Sequence, residues 1–179
     1  TYLLPFEITV KKAQPWTIMN AYNRLNGTYC AENKWLLTDV LRDEWGFKGM
    51  IVTDWGAENE IVDGLKAGQN LEMPGSGGYG PNKLVKAVQD GTLDEEILDE
   101  NVDSILDLIM KSKESYKDDY ACDMEKHHAL ARKIASEGIV LLKNEDNILP
   151  LQKAQKVAVI GEMAKSPRYQ GAGSSLINP

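Results

Sequence analysis

Apolar residues fall into short runs separated by helical patterns, most clearly over the first two thirds of the chain. Thr17-Ile18-Met19-Asn20-Ala21-Tyr22 has strand propensity and leads into Asn23-Arg24-Leu25-Asn26-Gly27, a loop rich in turn formers. From Asn33 to Trp45, the residues Trp35, Leu36, Val40, Leu41 and Trp45 recur near helical spacing. This predicts an amphipathic helix capped by Asn33 and stopped by Gly46. Gly49-Met50-Ile51-Val52-Thr53-Asp54 is a nearly continuous apolar run ending in a carboxylate, the pattern of a strand buried on both faces of a parallel sheet. Glu58 to Ala67 reads as a helix that stops at Gly68, and Asn70 to Pro74 as a short strand. Residues 75–81, with four glycines and a proline, read as a loop. Two helices follow, over Asn82–Asp90 and Asp94–Lys113. The second places Ile97, Val102, Ile105, Leu106 and Ile109 on one face, with Asp94 or Thr92 as its cap.

Ser115 to Asp123 is polar and charged, and reads as a linker. Beyond it, Glu125 to Ser136 is patterned as a helix, Ile139-Val140-Leu141-Leu142 as a buried strand, Asn144 to Asn147 as a turn and Lys156 to Gly161 as a second strand. A helix and two strands close no core by themselves, so this segment reads as the opening of a larger domain. The chain thus divides into residues 1–114, a linker over 115–124 and a second segment over 125–179. The β-α-β-α-β order before the linker fits the closing third of a (β/α)₈ barrel. It fits a piece of a doubly wound sheet equally well, and periodicity does not separate the two.

Composition narrows the partners more than the activity. The 179 residues are 42% hydrophobic and 26% charged, as in ordinary globular proteins. A net charge of −7 disfavours nucleic acid and anionic membrane surfaces, which reward clustered Lys and Arg. No apolar run is long enough to cross a bilayer as a helix. Cys30 and Cys122 have neither zinc-type spacing nor a Cys-x-x-Cys arrangement. They read as free thiols of a reducing compartment, which favours the cytoplasm over secretion. The opening Thr1, in place of Met, leaves room for a native N-terminus upstream.

Candidate chemistry concentrates at Asp54. In parallel α/β architectures functional side chains gather where strands end, and an uncompensated buried charge is costly. The same residue reads also as a cap of the next helix or an acceptor of backbone hydrogen bonds. Gly56 lets the chain turn away. Tyr22 and Asn23 end the preceding candidate strand, where a phenol tunes a carboxylate, binds a hydroxyl group or anchors the loop. Met19 packs in the wall or lines a pocket with its flexible thioether. Trp55 offers an aromatic face of the kind that packs on a pyranose ring, whereas Trp16, Trp35 and Trp45 read as core or helix-packing residues. Asp39, Asp63 and Asp103 read as solvated helix residues. Adjacent His127 and His128 point in different directions on a helix, and no carboxylate cluster completes a metal site. Gly171-Ala172-Gly173-Ser174-Ser175 lacks the Lys of a phosphate-binding loop.

Read together, several segments resemble glycoside hydrolase family 3. They are Met19-Asn20-Ala21-Tyr22-Asn23-Arg24-Leu25-Asn26-Gly27, Trp35-Leu36-Leu37-Thr38-Asp39-Val40-Leu41-Arg42, and the run from Trp45 through Thr53-Asp54-Trp55-Gly56-Ala57. Ala67-Gly68-Gln69-Asn70-Leu71-Glu72-Met73-Pro74, Ile139 to Asn144 with Leu149-Pro150-Leu151, and Gln170 to Ser175 continue the resemblance in order along nearly the whole chain.

The resemblance implies an α/β fold: the C-terminal part of a (β/α)₈-like barrel, followed by the beginning of an α/β sandwich domain. It implies that Asp54 is the nucleophile, that Met19, Tyr22 and Trp55 line the sugar subsite, and that Ser174 lies near its mouth. It favours β-glucosidase first and β-xylosidase second. The expected partners are β-linked oligosaccharides or aryl and alkyl β-glycosides, with oligomeric state left open. Retaining hydrolysis uses two carboxyl groups about 5–5.5 Å apart, one attacking the anomeric carbon and the other serving as acid and then base, without metal or organic cofactor. The family's acid/base Glu lies downstream of Pro179 and its Lys-His motif upstream of Thr1, and nothing selects Glu72, Glu145 or Glu162 as a substitute. The 179 residues alone are therefore expected to be inactive, and to be poorly folded or self-associating through open sheet edges. The competing class is a non-catalytic sugar-binding segment. A third reading, an aldolase-type barrel, needs a Lys or metal cluster at the strand ends, which the sequence lacks.

Overall fold

The computed structural model describes residues 1–173 and 176, and divides into two compact units, Thr1–Tyr120 and Ala121–Pro179. In the first, helix α1 (Leu4–Ala13) carries Pro5 in its first turn, where a missing N–H costs nothing. Strand β1 (Thr17–Met19) pairs in parallel with β4 (Met50–Val52), in the register Thr17↔Met50, Ile18↔Ile51, Met19↔Val52. A further parallel bridge joins Val52 to Leu71. Three successive extended segments therefore run side by side in chain order. The helix Trp35–Glu44 forms the first crossover and α2 (Ile61–Lys66) the second.

The Trp35–Glu44 helix is wound in the wider π manner, and Trp45 N–H donates to the Val40 carbonyl at its end. Asn33 Oδ1 accepts from Leu36 N–H (3.0 Å), the capping role its position predicts, and Gly46 ends the helix at φ 76°. The expected Asn23–Gly27 loop contains a small hairpin. Strands β2 (Arg24–Leu25) and β3 (Thr28–Tyr29) pair antiparallel across Asn26 and Gly27, both at positive φ. A 3₁₀ turn over Cys30–Glu32 follows.

Other boundaries shift for identifiable reasons. The helix expected from Glu58 begins at Ile61: Glu60 is extended (φ −126°, ψ 100°), and its N–H bonds to the Glu32 carboxylate (2.7 Å). Helix α3 (Tyr79–Gln89) starts inside the expected glycine loop, with Pro81 tolerated in its first turn. Helix α4 (Glu95–Ser115) is capped by Asp94, which accepts from Glu96 N–H. Its packed face matches the expected one only in part: Ile97 packs on the core as expected, joined by Leu98 and the buried Asn101, and Ile105 is half-buried, while Val102, Leu106 and Ile109 are exposed. Asn101 donates to the Gln69 carbonyl (2.7 Å) and so turns this face inward.

Two clusters form the core. Val10, Leu37, Val40, Leu41, Trp45, Phe47, Ile51 and Ala67 make the larger, and Leu65, Ala87 and Leu93 the smaller. Trp45 is core, as expected, whereas Trp16 and Trp35 are about half exposed and belong to neither cluster.

The second unit holds α5 (Met124–Gly138), capped by Asp123, a short turn over Glu145–Asn147 and α6 (Glu162–Lys165). The two strands expected there are not formed. Ile139–Leu142 and Lys156–Gly161 lack ladder pairing among the described residues, and Leu142 is 91% exposed. An apolar run supplies burial energy only where a second surface covers it, and a strand needs a neighbour for its N–H and C=O groups. Among the described residues neither segment has one.

Candidate active site

The carboxylate at the end of β4 is built from below. The Ile51 carbonyl accepts from Asn70 and Leu71 N–H, and Thr53 N–H donates to the Leu71 carbonyl (3.0 Å), so the strand leaves the sheet in a fixed register. Asn70 Oδ1 accepts from Ile51 N–H (2.7 Å) and from Arg42 (2.9 Å), whose guanidinium also reaches the Gly49 and Gly68 carbonyls. Burial lowers the pKa of Arg42 from its ordinary value, with the charge of Asp43 opposing that. The Thr53 hydroxyl then clamps Met73, accepting from its N–H (2.8 Å) and donating to its carbonyl (3.1 Å). The same carbonyl accepts from Gly56 N–H (2.7 Å), and Ala57 N–H donates to the Asp54 carbonyl. Asp54 thus sits at the start of a turn whose two sides are tied to one residue, Met73. Gly56 makes that turn at φ 81°, a conformation costly for any residue with a Cβ.

Asp54 is half-buried. Its Oδ1 accepts from Trp55 N–H at 2.6 Å and lies 3.0 Å from the Tyr22 hydroxyl. That hydroxyl is also 2.7 Å from the Trp55 carbonyl, so its single proton serves one acceptor at a time. Among the described residues Oδ2 carries no hydrogen bond. The Tyr22 pKa is raised by desolvation first, then by its hydrogen bond to Asp54 and the charge there, so the phenol keeps its proton. The surroundings are open: Tyr22 is 53% exposed, Trp55 65% and Met19 56%.

Of the residues singled out from the sequence, Tyr22, Asp54 and Trp55 are thus in direct contact. Met19 lies at the end of β1 with its side chain exposed rather than packed in a wall. Asn23 donates to the Arg24 carbonyl within its own loop. Ser174 lies outside the described residues. His127 has the Cys122 thiol 3.1 Å from its Nδ1, in the second unit. Neither cysteine is in a disulfide, and among the described residues no group of three or more His, Cys, Asp or Glu is arranged to hold a metal. Among those residues no helix is long and apolar enough to cross a membrane.

Sequence reasoning missed the polar layer beneath the carboxylate. Buried Asn20 donates to Gln69 Oε1 (2.7 Å), and Gln69 Nε2 donates to the Leu71 carbonyl (2.7 Å). Asn20 N–H meets the Val52 carbonyl, so this layer ties all three extended segments together at the site end. The available signal was a polar residue inside an apolar run, Asn20 between Met19 and Ala21. A hollow of about 800 Å³ lies between α1, β1 and the Trp35–Glu44 helix, lined by Phe6, Ile18, Leu37 and Trp45 among others. Its lining is mostly apolar and includes Met19 and Asn23 but none of Tyr22, Asp54 and Trp55.

Residues 1–108 match the Glycosyl hydrolase family 3 N terminal domain, and residues 139–179 match the Glycosyl hydrolase family 3 C-terminal domain. The chain is 52% identical over 178 residues to thermostable beta-glucosidase B of Acetivibrio thermocellus, a match that takes in 99% of this chain and 24% of that protein. It is 50% identical over 188 residues to an exo-alpha-(1->6)-L-arabinopyranosidase of Bifidobacterium breve, covering 99% of this chain and 25% of that one. Beta-glucosidase 3B of Thermotoga neapolitana, solved with alpha-D-glucose, superposes with a TM-score of 0.85 at 42% identity, over 99% of this chain and 26% of that structure. The chain therefore spans about a quarter of the length of these relatives. It belongs to glycosyl hydrolase family 3, of which it carries the end of the N-terminal barrel domain and the start of the C-terminal domain.

Proposed function

We propose that the protein carrying this chain is a retaining β-glucosidase that removes terminal non-reducing β-D-glucosyl residues through a glycosyl-enzyme on Asp54. The observation that carries the reading is the asymmetry of the carboxylate: Oδ1 is held by Trp55 N–H and Tyr22, while Oδ2 carries no hydrogen bond among the described residues, and Tyr22 and Trp55 are both exposed. Oδ2 attacks the anomeric carbon as the C1–oxygen bond breaks, and the leaving oxygen takes a proton from a second carboxyl outside these residues. Water, deprotonated by that second carboxyl, then displaces Asp54. The Tyr22 hydroxyl stabilises the carboxylate both before attack and as it leaves. Trp55 packs on the C–H face of the sugar, and Met19 and Ser174 complete the subsite. On this reading residues 1–114 close the barrel, 115–124 link, and 125–179 open the sandwich. The chemistry calls for no metal or organic cofactor.

The arabinopyranosidase relative favours a second reading, in which the −1 subsite takes a pentopyranose, as it also does in a β-xylosidase. The full-length protein, assayed on aryl β-D-glucoside, β-D-xyloside and α-L-arabinopyranoside, is expected to show its highest kcat/KM on the glucoside. Asp54→Asn is expected to lower kcat on the order of 10⁴-fold with the fold intact, the scale on which loss of a covalent nucleophile acts. Near-normal turnover in that variant removes Asp54 from the mechanism. Glucose binding without turnover in the unmutated protein identifies a sugar-binding module instead.

A further inference from the structure

Four residues beyond Asp54, the Glu58 side chain turns back into the protein. Both carboxyl oxygens are buried, and among the described residues neither has a hydrogen-bond partner. The fit is close: a methyl group at Gly64 of α2 would lie 2.7 Å from Glu58 Oε1, so α2 presents bare backbone where the carboxyl packs. The charged groups around it are of its own sign. Glu32, on the 3₁₀ turn, is engaged by Glu60 N–H. Glu60, in the same loop, is paired with Lys83 of α3 (2.5 Å), which occupies the nearby cation. Glu72 accepts from the Ser76 hydroxyl (2.9 Å) and immediately precedes Met73. A carboxylate with buried oxygens, no donor and three acidic neighbours is disfavoured, so the neutral acid is the favoured form on the acid side of neutrality. Burial first, then Glu72, Glu32 and Glu60 in that order, push its pKa up to about 7.

We propose that Glu58 is a positioning residue: its neutral carboxyl, packed on Gly64 among Glu32, Glu60 and Glu72, fixes the turn that carries Asp54 and Trp55, and loss of its proton to solvent releases that turn. The inference rests on the reading of Asp54 as nucleophile. Ionised Glu58 finds no donor where it sits and must swing outward. It also repels Glu72, whose neighbour Met73 holds Thr53 and Gly56 on either side of Asp54. The consequence for stability has a definite sign. The folded pKa lies above the unfolded one, so the native state binds more protons between the ordinary carboxylate range and about 7, and stability falls as pH rises through that window.

The test uses the full-length protein and a dinitrophenyl β-glucoside, whose leaving group needs no protonation, so the external acid drops out of kcat/KM. Unmutated protein is expected to be about tenfold slower at pH 8 than at pH 6, as follows from a single group titrating near 7. Glu58→Gln, which mimics the neutral acid, is expected to change by less than about twofold over the same span. Should the amide fail to fold, Glu58→Met offers the same volume without a charge. In the unmutated protein, the infrared band of a protonated carboxyl is expected to persist to near-neutral pH and to be missing from either variant. An alkaline fall that survives unchanged in Glu58→Gln, or a Glu58 that ionises in the ordinary carboxylate range, overturns the proposal. Asp54→Asn assayed alongside separates the two claims, because an active Asp54→Asn defeats the nucleophile assignment, whereas an inactive one with an unaltered Glu58→Gln profile defeats only the role of Glu58.

Discussion

Ile51 and Leu142 lie in apolar runs of similar length and composition, one in each unit, and their fates are opposite. Ile51 is fully buried, flanked by β1 on one side and by Asn70 and Leu71 on the other. Leu142 is 91% exposed, in a segment that forms no strand. The pattern records a capacity for burial, and the partner decides whether the capacity is used. In the first unit the partners lie nearby in the chain, one crossover to either side of β4. In the second unit no described residue pairs with Ile139–Leu142.

The contrast breaks most sharply under truncation. Ile51→Ala is expected to destabilise the protein by about 2–5 kcal/mol, the cost of a cavity in a packed core. Leu142→Ala in the 179-residue chain should fall within about 0.5 kcal/mol of zero, as for exposed positions generally. Hydrogen exchange at the two runs checks the difference without requiring cooperative unfolding of the 179-residue chain, and equal protection would mean that the 139–142 run is buried after all. Thr53→Val comes next. It strips Met73 N–H of its acceptor, with an expected loss of about 1–3 kcal/mol, while Thr53→Ser, which keeps the hydroxyl, should restore most of it. The smallest effect is at the site. Tyr22→Phe removes one charge-assisted hydrogen bond to Asp54 and should lower kcat/KM about tenfold in the full-length protein, with melting little changed.

Much of the first unit was legible because its signals are local. The Asn33 cap, the Gly46 stop and the Asp94 cap each act within a few residues, and the structure has all three. The strand that precedes Asp54, Met50–Val52, announced itself by a nearly continuous apolar run with a charge just beyond it. What stayed hidden depends on contacts across the fold. The inward face of α4 is set by Asn101 reaching Gln69, and the residue before α2, Glu60, is extended with its N–H on the Glu32 carboxylate. Helical periodicity registers neither. Within the candidate site the Tyr22–Asp54 proximity was foreseeable if the strands that precede them were neighbours, as β1 and β4 are. The enclosure of Glu58 was not, since its setting comes from four different stretches of chain.

The account turns on which atom becomes bonded to sugar. Trapping the full-length protein with a dinitrophenyl 2-deoxy-2-fluoro-β-glucoside, followed by proteolysis and mass mapping, reads that atom's residue directly. The account predicts one added fluoroglucosyl group on the peptide spanning Ile51 to Trp55, located at Asp54. A label on any other side chain, or full inactivation with no covalent label, contradicts it.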